Sequence, residues 1–178
     1  MSSTVRPDNL RAALDARLAA AMSQAIELRE AELPRVTPHL NAREIVGAFL
    51  QYARGVHAIV DAFGKGQVGD LQLSSWHAQW AQALSHDDRA LWRQLSDERG
   101  LPAPPPGAAL VDLEISVAPD PSITGEHPAL GTRTDVRKKL VRFAAFPSRP
   151  ASDVCGDYLR LAKRLAADFV RDHARFLP

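Results

Sequence analysis

The sequence predicts a mostly helical bundle of about five helices, with a small antiparallel β-hairpin inserted before the last of them. Three observations carry this. Apolar residues recur at helical spacing through most of the chain, a clean period-2 run appears only at 110–117, and a proline bridge, "LPAPPPG" at 101–107, separates the two regimes.

From Asp8 to Leu33 the positions Leu10, Ala13, Leu14, Leu18, Ala21, Met22, Ala25 and Ile26 keep helical spacing in an alanine-rich background, and Pro34 and Pro38 end the run. The second helix opens at Asn41, which forms a capping-box pattern with Glu44, and Gly64 and Gly66 mark its expected stop. Its stripe is Ile45, Phe49, Tyr52, Val56, Ile59, Val60 and Phe63, with Arg43, Gly47, Arg54 and Asp61 opposite. Val46, Leu50 and Ala53 widen the apolar face beyond what one neighbour needs, so a further helix or a second copy of the chain is expected to cover it. Phe49, Val56, Leu91 and Leu165 are expected in the core.

"SSWHAQWAQAL" sets Trp76, Trp80 and Leu84 on one face of a short helix. The next helix starts at an N-cap, Ser85, with acids in its first turn, and runs towards Gly100. Beyond the bridge, Val111, Leu113, Ile115 and Val117 alternate with polar residues, as in a half-buried strand. Residues 136–146 fit a strand or a helix. Strand is the reading adopted, because the first strand needs a partner for its backbone. The expected organisation is one helical domain over 1–178, with a hairpin excursion at 110–146 and a long loop at about 118–135. Val154, Tyr158, Leu161, Leu165, Phe169, His173 and Phe176 then line a closing amphipathic helix.

Bulk properties narrow the function classes. The chain has 178 residues, 46% hydrophobic and 24% charged, which suits a globular protein and excludes disorder. Twenty-two basic against 21 acidic residues leave a net charge of +1, so no global field favours nucleic acid or an anionic membrane. The N-terminal "MSSTVRPDN" lacks a signal peptide's apolar core, and no run reaches the roughly 20 apolar residues that span a bilayer. One cysteine, Cys155, fits a reducing compartment. The expectation is a cytoplasmic protein without membrane contact.

The candidate sites each have a plain structural alternative. His86–Asp88 suits a metal by composition, but acids after Ser85 are what a helix N-terminus favours. Arg54 and His57, three residues apart, suit a shared phosphate, against a solvated arginine and a half-covered histidine. Cys155 near a helix start suits a lowered thiol pKa, against an inert thiol with no second cysteine. Arg133, Arg137, Lys138, Lys139, Arg142 and Arg149 put six positive charges into 17 residues, opposed only by Asp135. Arg133, Arg137, Lys138 and Lys139 are the candidates for contacting nucleic acid. The alternative is that Lys138 and Arg142 lie across from Asp112 and Glu114 in cross-strand ion pairs. Common catalytic signatures are absent: there is no G-x-S-x-G, P-loop, Rossmann triplet or H-E-x-x-H. No cofactor and no metal ligand set is assigned.

The segments "AFLQYARGVHAIVDAF", "WHAQWAQAL", "ALWRQLSDERG" and "FAAFPSRPASDVCGDYLRLAKRLAADFV", in this order around a strand excursion, resemble uncharacterised bacterial members of the HEPN superfamily over about residues 41–177. The resemblance implies a helical, often dimeric domain of a kind that includes many RNases of toxin and defence systems. Their active members carry an arginine followed after four to six residues by a histidine. Here Arg99 is followed by "GLPAPPP", and none of the six histidines has an arginine at that spacing. The expected function is therefore non-catalytic binding, with a protein partner or a second copy of the chain, and with RNA as a further possible partner. Two rivals remain. One is a metal-independent RNase with a non-standard site, for which Arg54, His57 and Arg99 are the catalytic candidates. The other is a metal-dependent helical-bundle enzyme in which His57 and His77 converge from separate helices.

Overall fold

The computed structural model describes residues 9–33, 41–96, 109–117 and 136–174, with the backbone alone for 114–117 and 136–139. The element order is α1 (Leu10–Glu32), α2 (Ala42–Gln67), α3 (Asp70–Gln82), α4 (His86–Leu95), β1 (Leu110–Val117), β2 (Val136–Phe143) and α5 (Ala151–Asp172). The predicted class holds: five helices among the described residues, with an antiparallel two-stranded sheet before the last. Phe176 and the segments 97–108 and 118–135, with Arg99 and Arg133, lie outside the described residues.

Local chemistry explains most boundaries. Asn41 caps α2 by accepting from the Arg43 amide at 3.1 Å, while its side-chain amide donates to Glu44 at 2.8 Å, a variant of the expected capping box. Ser85 Oγ accepts from the Asp88 amide at 3.1 Å, as an N-cap should. Two ends differ from the sequence reading. α2 runs through Gly64 and Gly66 to Gln67, and the glycine that turns the chain is Gly69, at φ +96°. α4 stops at Leu95, because the Ser96 amide and hydroxyl both turn back onto the Trp92 carbonyl and Ser96 is extended.

The core lies where α2 and α5 face each other, with α1 laid along both. Phe49, Val56, Leu91 and Leu165 are buried as expected. The wide apolar face of α2 is accounted for inside the chain. Val46, Leu50 and Ala53 are buried in its own core, and α1 is the most extensive neighbour of α2, so the width of this face no longer points to a second copy. On α1 the seam is Leu10, Leu14, Ala21 and Leu28. Met22 and Ile26 lie off that seam, about 100° and about 140° round the helix, and Ile26 is 57% exposed.

α3 is hung on α5 by its tryptophans. Trp76 Nε1 donates to Asp172 at 3.0 Å and Trp80 Nε1 to Asp168 at 3.1 Å, so each indole keeps an apolar body in the wall and a satisfied N–H. α4 is tied to α5 by Arg160 and Asp88 at 2.5 Å and by the Trp92 ring beside Tyr158, centroids 5.4 Å apart.

The hairpin departs from the expected facing. Its register pairs Asp112 with Val141, Glu114 with Lys139, Val111 with Arg142 and Ile115 with Lys138. Directly opposite residues share a face, so Arg142 belongs with Val111 and Leu113 and not with Asp112, and the backbone register sets Lys138 opposite Ile115. Val111 and Leu113 are 45% and 46% exposed, whereas Leu140, Val141 and Phe143 are buried. The reason is that β2 packs more extensively than β1 against α2 and α5. Asp112 instead pairs with Arg43 at 2.9 Å.

Candidate metal centre

The polar side of α2 carries His57 and Asp61 at i and i+4, which places them one above the other on one face. α3 brings His77 to the same spot. It can approach this closely because α2 has a glycine at the crossing: a Cβ at Gly64 would meet Leu73 Cδ1 at 2.6 Å and Cδ2 at 2.9 Å. Leu73 is itself buried and has little room to yield. Gly64→Ala is therefore expected to cost about 1–3 kcal/mol despite the better helix propensity of alanine. Gly47→Ala, with open space around it, should be neutral or stabilising by up to roughly 1 kcal/mol. Thermal melts of the two variants check this, and equal midpoints would contradict it.

His77 Nε2 donates to Asp61 Oδ1 at 2.8 Å, and His57 Nε2 lies 3.6 Å from the same oxygen. One donor atom from each of the three residues falls within 4.8 Å of the others. The rings of His57 and His77 meet edge to face at 5.0 Å, and Trp92 packs on His57 at 5.7 Å. All three side chains are part-buried at one wall of an open cleft of about 490 Å³ between α2, α3 and α4. Lys65, Arg89 and Arg93 also line it.

This set has the right chemistry for a divalent ion. Two imidazole nitrogens and one carboxylate oxygen at about 2.0–2.2 Å from zinc stand roughly 3.4 Å apart, and here the two histidine nitrogens lie 2.8 and 3.6 Å from the Asp61 oxygen, with all three donor atoms within 4.8 Å of one another. The same 2-His-1-carboxylate donors also suit iron and other borderline metals. Three protein ligands beside an open cleft leave coordination positions for something else, unlike a closed structural site.

Burial pushes the Asp61 carboxyl upward, but the hydrogen bond from His77 and the charges of His57, His77 and Lys65 outweigh it, and its pKa falls below the usual carboxylate value. A depressed folded-state pKa contributes stability that is present above the unfolded value, about 3.9, and is lost as the pH falls through the lower folded one. The Asp61→Asn variant should therefore lose less stability than the parent on acidification below about pH 4. Urea midpoints across that range read it, and parallel pH dependences would contradict it.

The other candidates fall out differently. Arg54 does not face solvent with His57. Its Nε donates to the Leu95 carbonyl at 2.7 Å, the end of α4, where a cation suits the helix dipole. His86 is fully exposed and its neighbours serve the cap. The Arg160 hydrogen bond draws Asp88 below the usual carboxylate range. The Cys155 thiol is buried, and burial with the nearby Glu32 charge pushes its pKa up, so it is inert. Of the basic segment, Arg142 is committed to Glu32 at 2.8 Å and Arg149 to Asp157 at 2.7 Å. Arg99 and Arg133 lie outside the described residues, and for Arg137, Lys138 and Lys139 only the backbone is described. No helix among the described residues is long and apolar enough to cross a membrane.

Fold and site together define a helical bundle with a His-Asp-His centre at an open cleft. No protein family, no curated protein and no solved structure matches this chain.

Proposed function

We propose that this chain is a metal-binding helical bundle, in which His57 and Asp61 of α2 and His77 of α3 hold a divalent ion of the zinc or iron type and present it to the cleft. The supporting observation is the convergence of three donor atoms of suitable kind, within 4.8 Å of one another, from two helices locked together at Gly64 and Leu73. The histidines orient the site and the carboxylate lowers its charge. An ion there takes the place of the proton between His77 and Asp61, so its binding competes with protons and weakens on acidification. Such an ion supplies a Lewis-acid position for a ligand entering from the cleft.

Cobalt(II) reports the site directly. Added to the protein, it should develop visible bands of low-coordinate cobalt, and a His57→Ala/His77→Ala double variant should show only the pale spectrum of the aqueous ion. A parent protein that leaves cobalt in its aqueous form would reject the reading.

A further inference from the structure

We propose that the open side of the metal centre receives the phosphate group of a small ligand, with Lys65 and Arg93 as its second and third anchors. This inference rests on the metal reading above.

His57, Asp61 and Lys65 follow one another every four residues along α2, so Lys65 continues the line of the two ligands into the same cleft. Arg93 enters from α4, next to Trp92, whose ring packs on His57. Both are exposed, and neither has a carboxylate within ion-pair distance among the described residues, although Asp61 and Asp70 line the same cleft. Several surface arginines elsewhere are paired, Arg43 with Asp112, Arg149 with Asp157, Arg160 with Asp88, and Arg171 with Asp168 and Asp172, whereas Arg11, Arg17 and Arg29 of α1 are exposed without a carboxylate partner among the described residues, so it is the shared cleft beside the His-Asp-His cluster that sets Lys65 and Arg93 apart. The third cation of the cleft, Arg89, is already engaged. Its guanidinium donates to the carbonyls of Ala81, Gln82 and Leu84 and closes the end of α3. What remains is two cations without an ion-pair partner among the described residues, beside a candidate dication, in a cleft whose volume suits a small molecule.

An anion is the ligand that this arrangement rewards. A phosphate has enough acceptor oxygens to meet the ion, an ammonium and a guanidinium together, whereas a carboxylate with two oxygens leaves one anchor unmet. The indole of Trp92 and the edge of Trp80 give the rest of such a ligand an apolar wall.

The test titrates cobalt-loaded protein with inorganic phosphate and, in parallel, with acetate, following the visible bands. Phosphate is expected to shift the bands at lower concentration than acetate. A Lys65→Ala/Arg93→Ala variant, altered only at exposed positions, should form the same cobalt bands and need roughly 100-fold more phosphate, since each of the two charged hydrogen bonds is worth about one decade. Cobalt bands that phosphate leaves unchanged, or that it strips back to the aqueous ion, overturn the inference and leave the metal reading standing. So does a double variant that titrates like the parent, or acetate as effective as phosphate. If the parent forms no cobalt bands at all, the metal reading itself fails and this inference falls with it.

Discussion

Replacing Glu32 with alanine is expected to destabilise the fold by about 3–5 kcal/mol, the largest effect of any single polar substitution in the described structure. Glu32 is the last residue of α1 and works as a clamp between three elements. Its carboxylate accepts from the first amides of α5, Ala151 N at 2.9 Å and Ser152 N at 3.2 Å, and also from the Ser152 hydroxyl. α5 has no side-chain cap of its own, Pro150 standing in that position, so a residue distant in sequence supplies the missing acceptor and the negative charge that the helix start favours. The same carboxylate takes Arg142 of β2 at 2.8 Å, with the two side chains only 13% and 10% exposed. Alanine leaves a guanidinium without its partner and two helix amides without an acceptor, in a place that water reaches poorly. Glu32→Gln keeps an acceptor and loses the charge, so it should fall between the parent and alanine. Urea unfolding of the three proteins gives the order directly, and an alanine variant within about 1 kcal/mol of the parent would show that the hairpin and α5 do not depend on this clamp.

The second large effect belongs to the proposed metal centre. His77→Ala removes the one ligand that comes from α3 and should lower zinc affinity by at least about 100-fold, because the two remaining donors sit on a single helix turn and hold an ion weakly. Zinc at 100 times its dissociation constant stabilises the parent by roughly 2.7 kcal/mol and raises its melting temperature, and the variant should show almost none of this shift. Isothermal titration and thermal melts with and without zinc measure both quantities. Equal zinc-dependent shifts in parent and variant would place the ion elsewhere.

The helices were legible because their signals are local. Asn41 and Ser85 announce their caps, and the stripe from Ile45 to Phe63 is long enough to set the phase of α2. Boundaries failed where tertiary contacts decide them. Gly64 looks like a stop and is instead a contact point for Leu73, and Ser96 ends α4 through bonds that its letter does not reveal. The hairpin was found from period and from the need for a partner, but alternation states a period without saying which face docks, and Val111 and Leu113 turned outward. The site was half visible. The meeting of His57 with His77 follows from two helices joined by a short turn, and it was among the arrangements the sequence allowed. From the sequence Asp61 reads as a polar-face residue, and its place four residues after His57 is the signal that ties it to the site. Arg54 misled for the opposite reason: its position looks solvated, and only the end of α4 shows what it holds.

The central claim, that His57, Asp61 and His77 are ligands of one ion, is tested most directly by diffraction from crystals grown with zinc, recorded on both sides of the zinc absorption edge. The account predicts a single strong anomalous peak in the cleft, about 2.0–2.2 Å from Nε2 of His57, Nε2 of His77 and a carboxylate oxygen of Asp61. A fully zinc-supplied crystal with no peak at that position, and with His77 still hydrogen-bonded to Asp61, would contradict it.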